Sequence, residues 1–306
     1  MHILVTGGTG FIGQALLPAL QQQGHTVTVL TRQHLSDRAA DRGSVTYVQQ
    51  LDAVPLPVHA VINLAGASLA DRRWSDAYKA EMVASRVGTT DSLISWMSQQ
   101  PTPPGVLLSG SAIGWYGASQ EAVFDEQSPP GAGFAAALCQ QWESAAQAAT
   151  SLGTRVALLR LGVVFDRDGG ALQEMLRSFK FGVGSWLGSG HQWLSWVHRW
   201  DVVRSILFLL EQSDASGAFN IVAPEAVTHR QFCEIASGRS PTLFNMGVPN
   251  FVARALVGEM ADELLLSGQR VTPAALTAVG FTFAFPSLDG ALVDIQAKVA
   301  PRRNLD

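Results

Sequence analysis

Charge is scarce in this chain. Only 15% of its 306 residues are Asp, Glu, Lys or Arg, and 21 basic against 25 acidic side chains give a formal net charge of −4. A general nucleic-acid binder carries a basic patch or stripe; this balance argues against one, so no nucleic-acid partner is expected. Cysteine is scarcer still. Cys139 and Cys233 are the only two, too few for a disulfide scaffold and suited to a reducing compartment. No window of about eighteen residues is continuously apolar, so no membrane partner is expected. The opening residues carry neither a basic n-region nor a long apolar segment, and the expectation is a cytoplasmic protein. No His/Cys cluster has metal-ligand spacing.

What the chain does have is apolar material, 47% of its residues, enough to fill the core of a large α/β unit. Its first thirty-two residues organise the rest. Ile3, Leu4 and Val5 form a short apolar run ending at Thr6, and residues 7–13 read Gly-Gly-Thr-Gly-Phe-Ile-Gly. Residues 14–23 show helical apolar spacing, Gly24 stops them, and residues 26–30 make a second strand. Strand, glycine turn, helix and strand in one unit is the context a dinucleotide fingerprint needs. Gly7 and Gly10 would let the backbone turn tightly and approach a pyrophosphate; Gly13 would let the helix pack close to the strand. Thr6, Phe11 and Ile12 complete the expected cofactor cradle. At the end of the second strand Arg32 stands where an NAD site usually has an acid. Its planar fork suits a 2′-phosphate, so the cofactor expected is NADP(H).

Further along, residues 45–48 form a third strand after a polar segment, 34–43, read as a loop or short helix. Residues 59–66 form a buried strand ending in small residues, with Leu64, Ala65 and Gly66 placed for the ribose and nicotinamide. Residues 74–99 read as one long helix, 105–111 as a strand carrying Ser109, expected at the cofactor, and Ser111, and 134–152 as a helix. A sixth strand lies within 154–165, followed by a turn over 166–170 and a glycine- and tryptophan-rich stretch. Helices over 201–212 and 228–237 flank a strand at 219–222. The fold class expected is α/β: a Rossmann-like doubly wound parallel sheet with a smaller α/β C-terminal lobe. Residues 1–161 would bind the cofactor, with the sheet completed by later segments, and 162–306 would bind substrate.

These motifs resemble the extended or atypical short-chain dehydrogenase/reductases, the superfamily of the sugar-nucleotide epimerases. Within it the chain is most similar to a subfamily of epimerase-family proteins of unknown substrate. The resemblance rests on residues 7–13, Asn63-Leu64-Ala65-Gly66-Ala67, Ser85-Arg86, residues 111–117 and Arg160-Leu161-Gly162-Val163-Val164. It also rests on the segments 169–172, 182–201, 268–271 and 280–283, and so covers nearly the whole chain. It implies a domain binding NADP(H), with Gly162 approaching the nicotinamide side, and a lobe closing over a substrate cleft.

One part of that family pattern is absent. Short-chain reductases move a proton with Tyr-x-x-x-Lys. Only Tyr47, Tyr78 and Tyr116 exist here, and the residues four places on are Leu51, Met82 and Gln120. Where the pair would stand are Phe134 and Leu138. Ser111, Tyr116 and Cys139 are the remaining catalytic candidates, with Glu143 on the same helix as Cys139. Arg160 reads as a structural ion-pair partner. Gln192, Trp196 and His198, with Trp193, suggest a substrate wall, balanced against an aromatic core; Arg270 would take an anionic group. The functional expectation is an NADP(H)-dependent oxidoreductase or sugar-nucleotide-type epimerase without the usual relay. It would act on a small molecule, a nucleotide-linked one among the candidates, as a monomer or homodimer. The alternative is a non-catalytic NADP(H)-binding redox sensor or scaffold.

Overall fold

Seven short apolar runs become the strands of one parallel sheet in the computed structural model, which describes residues 1–33 and 45–297; the polar segment 34–43 lies outside them. The strands are β1 (His2–Thr6), β2 (Thr26–Leu30), β3 (Val45–Val48), β4 (Ala60–Asn63), β5 (Val106–Ala112), β6 (Arg155–Leu161) and β7 (Gly217–Ile221). Their order is β7-β6-β5-β4-β1-β2-β3, with every pair parallel. Near-continuous Val, Ile and Leu runs are what a sheet covered on both faces requires. Alternate residues of β1 show the two faces. Ile3 and Val5 pack with Leu16 and Leu20 of helix α1 (Gly13–Gln22) and Val202, Val203 and Ile206 of a later helix, Arg199–Glu211. Leu4 packs on the opposite side with Leu93, Trp96 and Ala146. The chain leaves β1 toward β2 on one side and β4 on the other. The carboxyl end of β1 is therefore the switch point at which such sheets open a crevice.

The long helix read at 74–99 is α2 (Asp76–Val83) and α3 (Thr89–Ser98), joined through a π-helical turn at Ala84–Gly88. Helix α4 is Phe134–Gln147, with a 3₁₀ tail over Ala148–Leu152.

After Leu161 the chain builds smaller units. Trp196–His198 pairs in parallel with Val163–Asp166, which pairs with Gly169–Gly170, and Val183–Leu187 pairs in parallel with Phe244–Val248. Phe165, Trp196, Phe232, Leu288 and Leu292 fill a second core there. The two parts are joined through the main core, which also takes in Leu276, Phe281 and Phe283, while β7 returns from the second half to the sheet edge.

Candidate functional site

The glycine loop sits at the carboxyl end of β1. Gly7 has φ +68°, and a Cβ on it would lie 2.3 Å from the carbonyl oxygen of Leu64, so strand β4 passes directly against the turn. A Cβ on Gly13 would lie 2.4 Å from the Gly7 carbonyl oxygen, so the helix start packs closely on the glycine turn itself, where packing on the strand was expected. Gly10 is exposed, its N–H bonded to the Gly7 carbonyl at 2.9 Å. No side chain caps the N-terminus of α1, and no acid lies in its first turn. Its dipole end thus meets no built-in anion, which suits a pyrophosphate. Phe11 and Ile12 are half-buried beside it. Phe11 is held by the later half of the chain: the Arg199 guanidinium stacks over its ring at 4.7 Å and donates to its carbonyl at 3.3 Å. Arg199 is itself paired with Asp166 at 2.6 Å.

Arg32 is exposed at the end of β2. The other expected cofactor contacts divide. Leu64 and Ala65 are half-buried and Gly66 exposed at the exit of β4, open to a ligand. Thr6 is buried, its hydroxyl donating to Asn63 Oδ1 at 2.6 Å, and Asn63 in turn donates to Thr90 Oγ1 at 2.8 Å. Ser109 is fully buried within β5. Gly162 is a packing glycine: a Cβ there would lie 2.7 Å from the Ser195 carbonyl oxygen. These three residues hold strands together and present no surface of their own to the crevice.

The catalytic candidates are drawn into a buried network. Register places Ser111 beside Arg160 and Arg160 beside Asn220, in one row across β5, β6 and β7. Their side chains therefore share a face. Ser111 Oγ donates to Glu143 Oε1 at 2.6 Å, and Arg160 closes a two-pronged pair with Glu143 at 2.8 and 2.9 Å. Arg160 also donates to the Tyr116 hydroxyl at 3.0 Å, which donates to Asn220 Oδ1 at 2.6 Å. The Trp115 ring lies 4.0 Å from the guanidinium. Arg160 is thus the ion-pair partner read from the sequence. Burial raises the Tyr116 pKa, keeping it a hydrogen-bond donor. Cys139 is 4% exposed, its Sγ donating to the Ala112 carbonyl, and burial pushes the thiol up to about 11. It is a buried thiol, not an activated one.

Phe134 and Leu138 of α4 lie in an apolar cluster. Leu138 packs with Tyr78 and Met82, and the Phe134 ring meets Trp74 edge-on at 5.2 Å. Trp196 and His198 depart from the substrate-wall reading. Both are fully buried, because the strand carrying them pairs with Val163–Asp166 beneath the lobe. His198 Nδ1 caps the helix Arg199–Glu211 by accepting from the Trp200 N–H, and its ring stacks on Phe285 at 4.0 Å. Gln192 is buried, donating to the Leu187 and Leu265 carbonyls at 2.9 and 3.1 Å. Of the four substrate candidates Arg270 alone is exposed, its guanidinium over the Trp193 ring at 4.7 Å. The segment 258–266 closes on α4 and α2. Glu263 accepts from the Ala135 N–H at 3.3 Å and Glu259 pairs with Lys79. These long-range contacts carried no sequence signal.

A fold of this order, opening a glycine cradle at its switch point, defines a Rossmann-type dinucleotide-binding protein. The chain belongs to the NAD dependent epimerase/dehydratase family, whose model matches residues 3–222; a domain of unknown function matches residues 248–295. It is 38% identical over 301 residues to an epimerase family protein of Staphylococcus haemolyticus, covering 96% of this chain and 98% of that one. It is 35% identical to the human epimerase family protein SDR39U1, covering 97% and 100%. A crystal structure of the human protein (isoform 2) with NADPH superposes with a TM-score of 0.87 at 34% identity, covering 96% of this chain and 99% of that one. A nucleoside-diphosphate sugar epimerase from Corynebacterium glutamicum superposes with a TM-score of 0.77 at 27% identity, the match covering 96% of this chain and 57% of that protein. No helix among the described residues is long and apolar enough to cross a membrane.

Proposed function

We propose that this protein binds NADP(H) across the carboxyl edge of its sheet and acts as an NADP(H)-dependent reductase on a small molecule admitted beneath the C-terminal lobe. The observation that carries it is the cradle: a turn that only glycine can make at residue 7, an uncapped helix N-terminus, and Arg32 in place of an acid at the end of β2. NADPH bound to the human relative supports the same cofactor. Gly7, Gly10, Phe11 and Ile12 would hold the pyrophosphate, Arg32 the 2′-phosphate, and Leu64, Ala65 and Gly66 the nicotinamide half. The bound cofactor supplies the hydride.

Reduction is favoured over epimerisation by the apolar cluster at Phe134 and Leu138. Epimerisation begins by oxidising an alcohol, and no base stands there to take its proton. A reductase is less demanding, since solvent can protonate the product of an activated acceptor such as a quinone or an enone. The same cluster, with Ser111 and Tyr116 engaged elsewhere, supports a second reading: a protein that binds NADP(H) without turnover, as a redox sensor or scaffold.

Titration with NADPH, NADP⁺, NADH and NAD⁺, on the native chain and on Arg32→Ala, tests the cofactor. NADPH should bind at least tenfold tighter than NADH, and the substitution should remove that preference. Equal binding of the two would overturn the assignment. Following NADPH oxidation with quinones, enones and nucleotide sugars then separates the readings: turnover of any of them supports the reductase, and none supports the sensor.

A further inference from the structure

A cation from a neighbouring helix stands beside the vacant relay. Arg86 is 9% exposed, and among the described residues no carboxylate pairs with it. Its guanidinium donates to two backbone carbonyls only, Ala67 at 2.9 Å and Met82 at 3.3 Å, and it lies 5.3 Å from the Trp142 ring. Buried arginines are ordinarily paired; Arg160, in the same protein, is. Burial lowers the pKa of Arg86, yet a guanidinium starts so high that it remains charged.

Its position is specific. A Cβ on Gly66 would come within 3.0 Å of the Arg86 Cζ, so the charge lies directly against the exposed exit of β4. Two features hold it there. The π-helical turn Ala84–Gly88 rotates Arg86 out of the regular register between α2 and α3, a distortion frequent at functional sites. Ser85 Oγ accepts the Ala67 N–H at 3.0 Å, fastening that turn to the strand exit. In the strand order, β2 with Arg32 lies on one side of β1 and β4 on the other. A dinucleotide held by residues 7–13, with Arg32 taking its 2′-phosphate, would reach the β4 exit with its nicotinamide half.

On that reading of the cofactor, we infer that Arg86 is a specificity-determining residue for the redox state of the nicotinamide, favouring NADPH over NADP⁺. The oxidised ring carries a positive charge and the reduced ring none, while the rest of the two cofactors is identical. An uncompensated cation at the ring's end of the site therefore acts on one form and not the other. At an effective dielectric of about 20, unit charges several ångströms apart change relative affinity by roughly ten- to a hundredfold. Such a site would be filled by the reduced cofactor and empty readily after oxidation, as a reductase and an NADPH sensor both need.

The test is equilibrium binding of NADPH, NADP⁺ and 2′-phospho-ADP-ribose, which lacks the nicotinamide, to the native chain, Arg86→Lys and Arg86→Met. The native chain should hold NADPH at least tenfold tighter than NADP⁺. Arg86→Lys should keep that ratio, and Arg86→Met should bring it within about threefold of unity, mainly because NADP⁺ gains, with 2′-phospho-ADP-ribose unchanged throughout. Should the Met variant not fold, Arg86→Gln, which keeps an N–H donor for the Ala67 carbonyl, makes the same comparison. A native ratio near one, or a ratio that survives loss of the charge, would overturn the inference while leaving NADP(H) binding intact. If the native chain binds none of the three, it is the cofactor assignment that fails.

Discussion

Ser111 Oγ donates to Glu143 Oε1 at 2.6 Å, and the same oxygen accepts from Arg160 Nε at 2.8 Å. A serine that the sequence offers as a catalytic candidate is thereby tied to a buried ion pair that joins the neighbouring strand β6 to helix α4. Its hydroxyl proton points at a carboxylate.

That pair should dominate local stability. Both side chains are at most 6% exposed, and breaking a buried pair from one side leaves an uncompensated charge, at a cost of about 3–5 kcal/mol. Glu143→Gln and Arg160→Met should each lose that much in urea denaturation. Replacing both with apolar residues should recover part of it. A single-variant loss below 1 kcal/mol would show that the pair is not a structural unit.

Cys139 should be inert in the folded protein. With its pKa pushed up to about 11, only about one thiol in a thousand is ionised at pH 8. A disulfide reagent at that pH should modify it in urea and not under native conditions. Cys139→Ala should leave NADPH affinity within twofold. Rapid native labelling at this position would contradict the burial that raises its pKa.

Acid should destabilise the fold through His229. Burial lowers its pKa from 6.5 to about 4, so the folded state holds it neutral where the unfolded chain is protonated. Stability from this group is complete above pH 6.5 and is lost as pH falls toward 4, by on the order of 3 kcal/mol. Burial lowers the His25 pKa as well, which acts in the same direction. Denaturation midpoints measured across that range should fall with pH less steeply in His229→Gln. An unchanged slope would remove His229 as a source of the acid sensitivity.

Two glycine substitutions separate turn strain from close approach. Gly7 and Gly24 have similar positive φ, +68° and +76°, but only Gly7 has backbone atoms where a Cβ would go. Gly24→Ala should cost about 1 kcal/mol and spare NADPH binding. Gly7→Ala should cost more than about 2 kcal/mol and abolish binding, because strand β4 cannot move aside. Equal effects in thermal melts would mean that the Leu64 carbonyl does not confine the loop.

The second half of the chain is less legible in its sequence than the first. Trp196 and His198 share a segment with glycines and polar residues, which fits a ligand-binding wall as well as a core. Pairing with Val163–Asp166, more than thirty residues earlier, decides for the core. Residues 74–99 were legible as one helix by their apolar spacing. The π turn within it was not, since a register shift of one residue leaves the apolar pattern nearly intact and is held by Ser85 and Arg86 bonding to Ala67, past the end of β4.

What the sequence by itself determined is local: the glycine cradle, the basic end of β2, the parallel strands and the absence of any Tyr-x-x-x-Lys. Each is written in neighbouring residues and enforced by backbone sterics or by side-chain type. The tertiary structure alone decided which polar side chains reach the crevice. Ser111, Arg160 and Asn220 were aligned by strand register, and the packing of α4 and of the turn at Ile113–Tyr116 brought Glu143 and Tyr116 to them across some hundred residues. Among the described residues Arg86 was left without a carboxylate partner beside the segment that follows β4. Charge pairing depends on distances of a few ångströms, and those exist only once the sheet has closed.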